Sequence, residues 1–279
     1  MDELLAAVAR RLQPAHLGPR DAALLVAAGL DRSLGDVELA RLLGKPVATG
    51  EAERIMAIAD RRARREPLQH LVGTAPFLDF DLVVGPGVFV PRPETEVLVA
   101  RAITELGATP NGPVADIGSG SGAIAIGVAR AHPDRRVHAF EASPHAWPWL
   151  RRNVAARAPG VVPHFGDWAA SLARLEGEFA AIVSNPPYVP AREIPRDPEV
   201  RLFDPEPALY SGADGLDEIR RIAAAAAARL RPGGFVAVEH TETQGEAVRE
   251  LFQAAGLGDA VTIRDLADRD RHTLARRPD

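Results

Sequence analysis

Ser184 to Pro190 read "SNPPYVP", directly after the apolar run "FAAIV". The prolines fix φ and offer no N–H, so Asn185 and the carbonyl of Pro186 are held as rigid acceptors at what reads as a strand end. Two acceptors converging on one point suit a planar NH2 group, which presents two donors. Tyr188 can lie flat against a conjugated plane. The nitrogen of such a group is a poor nucleophile, because its lone pair is delocalised. Acceptors that orient it and favour the positive charge it develops promote its attack on a methyl group by positioning and electrostatics. The pattern predicts Asn185, Pro186 and Tyr188 as catalytic residues and Asn185, Pro186, Pro187 and Tyr188 as the substrate site. A proline-rich turn that merely ends a strand accounts for neither the asparagine nor the tyrosine.

A second stretch, "VADIGSGSGAIAIG", sets Gly118, Gly120 and Gly122 between a predicted strand and a predicted helix. Ligands of doubly wound sheets bind beyond the carboxyl ends of the strands, and glycines let them approach the backbone. The spacing is G-x-G-x-G, not the G-x-G-x-x-G of dinucleotide folds. Asp116 would repel a phosphate and suits a cation or an amine. Glu141 follows about 20 residues after the glycines, where an acid of this fold class grips ribose hydroxyls. A nucleoside without phosphates, carrying an amino-acid tail and a sulfonium, is S-adenosylmethionine. The expected cofactor residues are Asp116, Gly118, Ser119, Gly120, Ser121, Gly122, Glu141 and Asn185, with Asp167 and Trp168 of "GDW". Asp167 also reads as a simple strand-end turn; the cofactor reading sets Asp167 or the Trp168 backbone near adenine.

The elements that must position these groups fall in two textures. Residues 1–72 show apolar residues at helical spacing ("ELLAAVARRL", "RDAALLVAAGL", "VELARLLG", "TGEAERIMAIADRRARRE") and predict a small helical bundle. Asp21 and Asp36 read as caps or first-turn acids, Thr49 as a cap, and Gly29 and Gly44 as stops. Residues 73–92 carry Pro and Gly between β-rich runs, "APFLDFDLVVG" and "VFV", and predict a hairpin-like linker. From Pro93, within 93–279, strands alternate with helices, which implies a doubly wound, mostly parallel sheet. "PHAWPWLRRNVAARA" reads as a helix with an internal proline, and the last two strands as an antiparallel pair.

Composition limits the chemistry. The 279 residues contain no cysteine, which excludes disulfides, thiolate nucleophiles and cysteine metal sites. His132, His138, His145, His164, His240 and His272 are scattered without ligand spacing, so no metal is expected. The start lacks the layout of a signal peptide, and no apolar run approaches the roughly 20 residues of a membrane span. The net charge of −5 does not advertise a duplex-binding face. Basic residues cluster locally at Arg61, Arg62, Arg64 and Arg65, read as a solvated helix face or, more sharply, as a patch for an acidic partner such as RNA.

In order along nearly the whole chain, "PLQHLVGTAPFLDFDLVV", "FVPRPETEVLV", "DIGSGSGAIAI", "IVSNPPYVP", "GGFVAVEH" and "RHTLARR" resemble the release-factor glutamine N5-methyltransferase family (PrmC/HemK). The resemblance implies a Rossmann-like class I methyltransferase domain with a mostly parallel seven-stranded sheet, preceded by a helical substrate-recognition domain. It implies methyl transfer from S-adenosylmethionine to the glutamine amide of the Gly-Gly-Gln motif of peptide-chain release factors, by a monomeric cytoplasmic enzyme. By position, Gly118 to Gly122 bind cofactor, Glu141 takes the ribose, Trp168 meets the adenine region, and Asn185 to Tyr188 hold the glutamine. Val90 to Glu96 is a family signature that reads as a linker closing over the site, with Arg92 near it. Serines stand in the loop where threonine is frequent in the family, and the helix after Glu141 carries more prolines and tryptophans than usual.

Asn-Pro-Pro-Tyr alone equally serves the exocyclic amines of adenine or guanine, so a nucleic-acid N-methyltransferase is the principal alternative. The acidity and the absence of a base-recognition domain speak against it, since a flipped-base enzyme also needs a phosphate-binding face. A non-catalytic S-adenosylmethionine binder would need no Asn185 to Tyr188.

Overall fold

Short apolar runs between punctuating Gly and Pro set the element order, which the computed structural model describes for residues 1–279. The N-terminal helices are α1 (Asp2–Leu12), α2 (Pro19–Gly29), α3 (Leu34–Leu42), α4 (Thr49–Ala63) and α5 (Leu68–Val72). A hairpin of β1 (Thr74–Phe77) and β2 (Phe80–Val83) follows. Then come α6 (Pro93–Leu106), β3 (Val114–Ile117), α7 (Ala123–Ala131), β4 (Val137–Glu141), α8 (Trp147–Arg157), β5 (Val162–Phe165), α9 (Trp168–Ala173) and β6 (Phe179–Ser184). The chain closes with α10 (Pro198–Phe203), α11 (Asp217–Arg229), β7 (Leu230–Glu239), α12 (Gly245–Ala254), β8 (Gly258–Arg264) and β9 (Asp270–Arg276).

Two compact units result. The first holds Met1–Thr74, Val84–Pro86 and Pro195–Phe203, so it includes two segments outside the stretch 1–72 expected for the bundle. Leu4, Val8 and Leu12 of α1 meet Leu25 and Val26 of α2 and Ile55 and Ala59 of α4 in its core. Asp36 is the third residue of a capping box, accepting the Ser33 N–H (3.3 Å) while Ser33 Oγ accepts its own N–H (3.0 Å). Thr49 is not a cap but the first residue of α4, and Glu51 instead accepts the Ala48 N–H at 3.1 Å.

The arginine run explains why Pro195–Phe203 belongs to this unit. Glu199 accepts from Arg62 Nη1 (2.8 Å) and Arg65 Nη2 (2.7 Å). Arg62, itself buried, also donates to Asp21 (2.7 Å) and to the Glu66 carbonyl (2.9 Å). Burial opposes ionisation of Glu199, but the hydrogen bonds it receives bring its carboxyl down to about 2. Arg61 makes a bidentate pair with Glu66 at 2.8 and 2.6 Å. Arg61, Arg62 and Arg65 are thus engaged within their own unit; Arg61 and Arg64 remain exposed, as a solvated helix face has them, while Arg62 is buried.

The second unit, Ala75–Val83, Gly87–Ile194 and Asp204–Asp279, is built on one seven-stranded sheet in the order β5-β4-β3-β6-β7-β9-β8. β9 runs antiparallel to both neighbours, and the other pairings are parallel. β3, β4 and β6 are buried at every residue, as strands covered on both faces must be. Ala115, Ile117, Phe140, Ile182 and Val238 pack into a core with Leu172 of α9, Ile219 and Ile222 of α11 and Phe252 of α12. Strand alternation sends Asp116 and Glu141 to the opposite face. Val88–Val90, expected as a strand, is not one, and the hairpin is completed by β1 and β2 alone. Pro148 lies in the first turn of α8 rather than inside it, where its missing N–H costs nothing. No helix is long and apolar enough to cross a membrane.

The strand order reverses between β3 and β6, which is where a sheet of this kind opens a crevice for ligands. Ile117 is in register with Ser184, and Ser184 Oγ donates to the Ile117 carbonyl at 2.6 Å. The next residues along the two strands are Gly118 and Asn185, so both motifs singled out from the sequence leave the sheet side by side.

Candidate active site

The glycine loop is shaped from its own residues. Ser119 N–H donates to the Phe140 carbonyl (2.9 Å), Ser119 Oγ to the Asp116 carbonyl (3.0 Å), and Gly122 N–H to the Ser119 carbonyl (2.7 Å). Buried Asn153 of α8 donates to the carbonyls of Ser121 and Val83, both at 2.9 Å. Ser119 and Ser121 are therefore buried builders of the turn. Gly118 and Gly120 adopt φ of +71° and +54°, and a Cβ at either would meet nothing within 4 Å. Such a backbone favours glycine, and the space beside it is an open cradle.

Two carboxylates border the loop. Asp116 Oδ2 accepts the Ala125 N–H of α7 at 3.0 Å, while its buried Oδ1 has no hydrogen-bond partner. Burial pushes the Asp116 carboxyl up to about 7, and a nearby cation would reverse that cost. Glu141 accepts the Gly120 N–H (2.7 Å) on one oxygen and the Ser143 N–H (2.6 Å) on the other. A carboxylate has about four lone-pair sites, so each oxygen retains one for a hydroxyl. Burial raises the Glu141 carboxyl, against the pull of these amides. An orphaned acid, a glycine cradle and a carboxylate with two free acceptor sites fit a phosphate-free nucleoside with a cationic tail, as S-adenosylmethionine is.

Asp167 and Trp168 are held differently from the other expected cofactor residues. The Asp167 carboxylate caps α9 through the Ala170 N–H (2.9 Å) and pairs with Arg221 (3.0 Å). The Trp168 indole N–H donates to Glu218, and its ring lies 4.9 Å beneath the Arg221 guanidinium. Both side chains thus hold α9 and α11, while Asp167 stays exposed with acceptor sites to spare.

Around Asn185 the structure gathers residues that the sequence reading did not single out. Asn185 Nδ2 donates to Thr95 Oγ1 (3.1 Å), Thr95 donates to Glu239 Oε2 (2.7 Å), and the Tyr188 hydroxyl donates to Glu239 Oε1 (3.1 Å). Thr95 and Glu239 are buried. Burial, followed by the Glu239 charge, raises the Tyr188 hydroxyl further above its ordinary value, so it stays a donor. The Tyr188 carbonyl accepts from Gln244 Nε2 (3.0 Å), and Val189 exchanges backbone bonds with Leu209 (2.7 Å) and Ser211 (3.0 Å).

The Val90 to Glu96 signature now has a physical account within this unit. Pro93 opens α6, Glu94 pairs with Arg269 (2.8 Å), Thr95 reaches the site, and Glu96 accepts the Leu78 N–H (3.1 Å). Arg92 stacks 5.2 Å over Phe89 and reaches Asp204 at 3.4 Å. The histidines are less scattered than their spacing implies: His138 Nδ1 and His164 Nε2 bond at 2.9 Å across β4 and β5. Burial and the His164 partner bring His138 down to about 4, which keeps this pair neutral.

Gly215 tests how tightly the Asn-Pro-Pro-Tyr corner is held. Its φ is +79°, and a Cβ there would lie 2.2 Å from the Tyr188 carbonyl oxygen and 2.8 Å from Gln244 Nε2. Gly215→Ala is expected to displace the corner and lower kcat by about 100-fold, the scale of a 1 Å misplacement. Steady-state kinetics beside a circular dichroism melt decides it: a folded variant at full turnover would mean the corner tolerates the shift.

Comparisons with known proteins bear on the family and the fold. The model of the PrmC N-terminal domain matches residues 3–73, and that of the methyltransferase small domain matches residues 82–204. A release factor glutamine methyltransferase of Bifidobacterium longum is 42% identical over 270 residues, covering 91% of this chain and 91% of its own. One of Xylella fastidiosa is 39% identical over 280 residues, covering 99% and 97%. The crystal structure of a methyltransferase from Pyrococcus furiosus shares the fold, with a TM-score of 0.55 at 20% identity over 79% of this chain and 100% of that one. With identity of this order running nearly end to end, the chain belongs to the release factor glutamine methyltransferase family.

Proposed function

We infer that the protein transfers a methyl group from S-adenosyl-L-methionine to the side-chain amide nitrogen (N5) of the glutamine in the Gly-Gly-Gln motif of peptide-chain release factors. The observation that carries this reading is the adjacency of Gly118 and Asn185 at the switch point, with Asn185 already donating its NH2 to Thr95. Its Oδ1 is therefore left as an acceptor. When bound, S-adenosylmethionine would supply an electrophilic methyl group with a neutral thioether as its leaving group. Asn185 Oδ1 and the Pro186 carbonyl accept the two N–H bonds of the glutamine amide and favour the positive charge its nitrogen gains. Tyr188 lies along the amide plane. The methylated nitrogen then loses one proton to water, and the acidity of an N-protonated amide makes a strong base unnecessary. Glu141 holds the ribose, Asp116 the cationic tail, and the turn at Asp167 and Trp168 the adenine side. The enzyme acts as a monomer in the cytoplasm. The deciding assay is methyl transfer from labelled cofactor to purified release factor, with DNA and RNA as controls: label in nucleic acid but not in protein would overturn the assignment.

The helical unit serves recognition. Arg61, Arg62 and Arg65 are internally paired, and α3 and the residue after it expose Leu39 (54%), Leu42 (70%) and Leu43 (60%), an apolar face at helical spacing. This face, not charge, is the part proposed to grip the release factor, so that remote binding energy holds a mobile Gly-Gly-Gln loop for reaction. A double Leu39→Ser, Leu42→Ser variant is expected to lose about tenfold or more in kcat/KM on whole release factor and little on a short glutamine peptide. Equal activity on whole release factor would exclude the face from recognition.

A further inference from the structure

Asn185 works as an acceptor only if its amide is turned the right way, and an amide side chain is nearly symmetric in shape. Something must decide which end meets the substrate. The candidates are the two groups behind it, Thr95 in the first turn of α6 and Glu239 at the end of β7.

A hydroxyl has one proton. An ionised carboxylate only accepts, so Thr95 must give that proton to Glu239 Oε2, at 2.7 Å. Towards Asn185 it then offers lone pairs alone, which assigns Nδ2 to the 3.1 Å contact and turns Oδ1 away from Thr95. Tyr188 supplies the second donor to the same carboxylate, at 3.1 Å from Oε1. Glu239 is 1% exposed, and its facing groups on the other strand and helix are consistent with an acceptor role. His272 Nε2 lies 3.9 Å away on β9 with a ring that burial keeps neutral, and the Arg271 guanidinium lies 6.0 Å from the Tyr188 ring. Burial raises the Glu239 carboxyl, and the bonds from Thr95 and Tyr188 and the Arg271 charge work against that rise.

We propose that Thr95, polarised by Glu239, is a positioning residue that fixes the orientation of the Asn185 amide and so sets the polarity of the substrate site. The proposal rests on the reading of Asn185 as the acceptor of the glutamine NH2. It gives Thr95 an effect on kcat without contact with cofactor or substrate, because without the hydroxyl the amide is free to present either end.

The test compares Thr95→Val, which keeps shape and loses the hydroxyl, Thr95→Ala, and Thr95→Ser, which keeps the hydroxyl and loses the methyl. Release factor is the substrate, and calorimetry gives S-adenosylmethionine affinity. Val and Ala variants are expected to lose about 30- to 100-fold in kcat, with cofactor affinity within threefold of wild type. The Ser variant is expected to stay within about threefold in kcat, and Glu239→Leu, which removes the acceptor, to fall with the Val variant. Wild-type kcat for Thr95→Val or Glu239→Leu, or a Ser variant as slow as the Val variant, would overturn the proposal. Asn185→Ala in the same assay separates the two levels. If it retains turnover, the reading of the site itself fails; if it is inactive while Thr95→Val is not, only this inference fails. Should Thr95→Val not fold, the Ala and Ser pair poses the same question.

Discussion

Asn185→Ala is expected to lower turnover on release factor by about a thousandfold or more while leaving S-adenosylmethionine affinity within about tenfold. Removing one preorganised group that stabilises developing charge typically costs 10²–10³ in kcat, about 3–4 kcal/mol. On the proposed reading the asparagine supplies orientation as well as charge stabilisation, with its Nδ2 held by Thr95 at 3.1 Å. The loss should appear in kcat, not in cofactor binding, since the residues proposed to hold the cofactor, Asp116 and Glu141, lie on β3 and β4 rather than on β6. Single-turnover kinetics with calorimetry on the same preparation separates the two. Near-normal turnover would remove Asn185 from the reaction, and a collapse of cofactor affinity alone would make it a cofactor residue. Asn185→Asp is expected to be as slow, because a carboxylate cannot donate to Thr95 and would stand near the charge of Glu239.

The second large effect is expected at Glu141. Its carboxylate accepts the Gly120 and Ser143 amides at 2.7 and 2.6 Å, and on the proposed reading it also offers its remaining lone pairs to a ribose. Charged hydrogen bonds of this kind contribute about 1.5–3 kcal/mol each. Glu141→Ala should therefore weaken S-adenosylmethionine by about 100-fold, near 3 kcal/mol, with the Gly120 amide released. Isothermal titration measures it directly. An unchanged dissociation constant would mean that another group holds the ribose.

What could be read in advance was local. The glycine loop, the Asn-Pro-Pro-Tyr corner and the start of α6 at Pro93 are each written in consecutive residues with a mechanism attached. The parallel sheet follows from strand-helix alternation. What was hidden depends on side-chain direction or on partners far along the chain. Thr95 and Glu239 lie 90 and 54 positions from Asn185, and only the fold brings them together. The signal for Thr95 was present as a signature without a role. "GDW" correctly locates a strand end, but the sequence does not say that Asp167 will turn to α9 and Arg221. The arginine run looks like surface because Arg seldom lies buried, and nothing nearby announces that Glu199 returns to it 137 residues after Arg62.

That return has a consequence for how the protein is made. Ribosomes deliver the chain from its N-terminus, and the segment that completes the helical unit ends at Phe203. At synthesis rates of roughly 5–20 residues per second, on the order of ten seconds separates the emergence of Thr74 from that of Glu199. Throughout that interval Arg62 has Asp21 and the Glu66 carbonyl but not its third partner. The first unit to leave the ribosome thus lacks its last segment until β3 to β6 of the other have been synthesised.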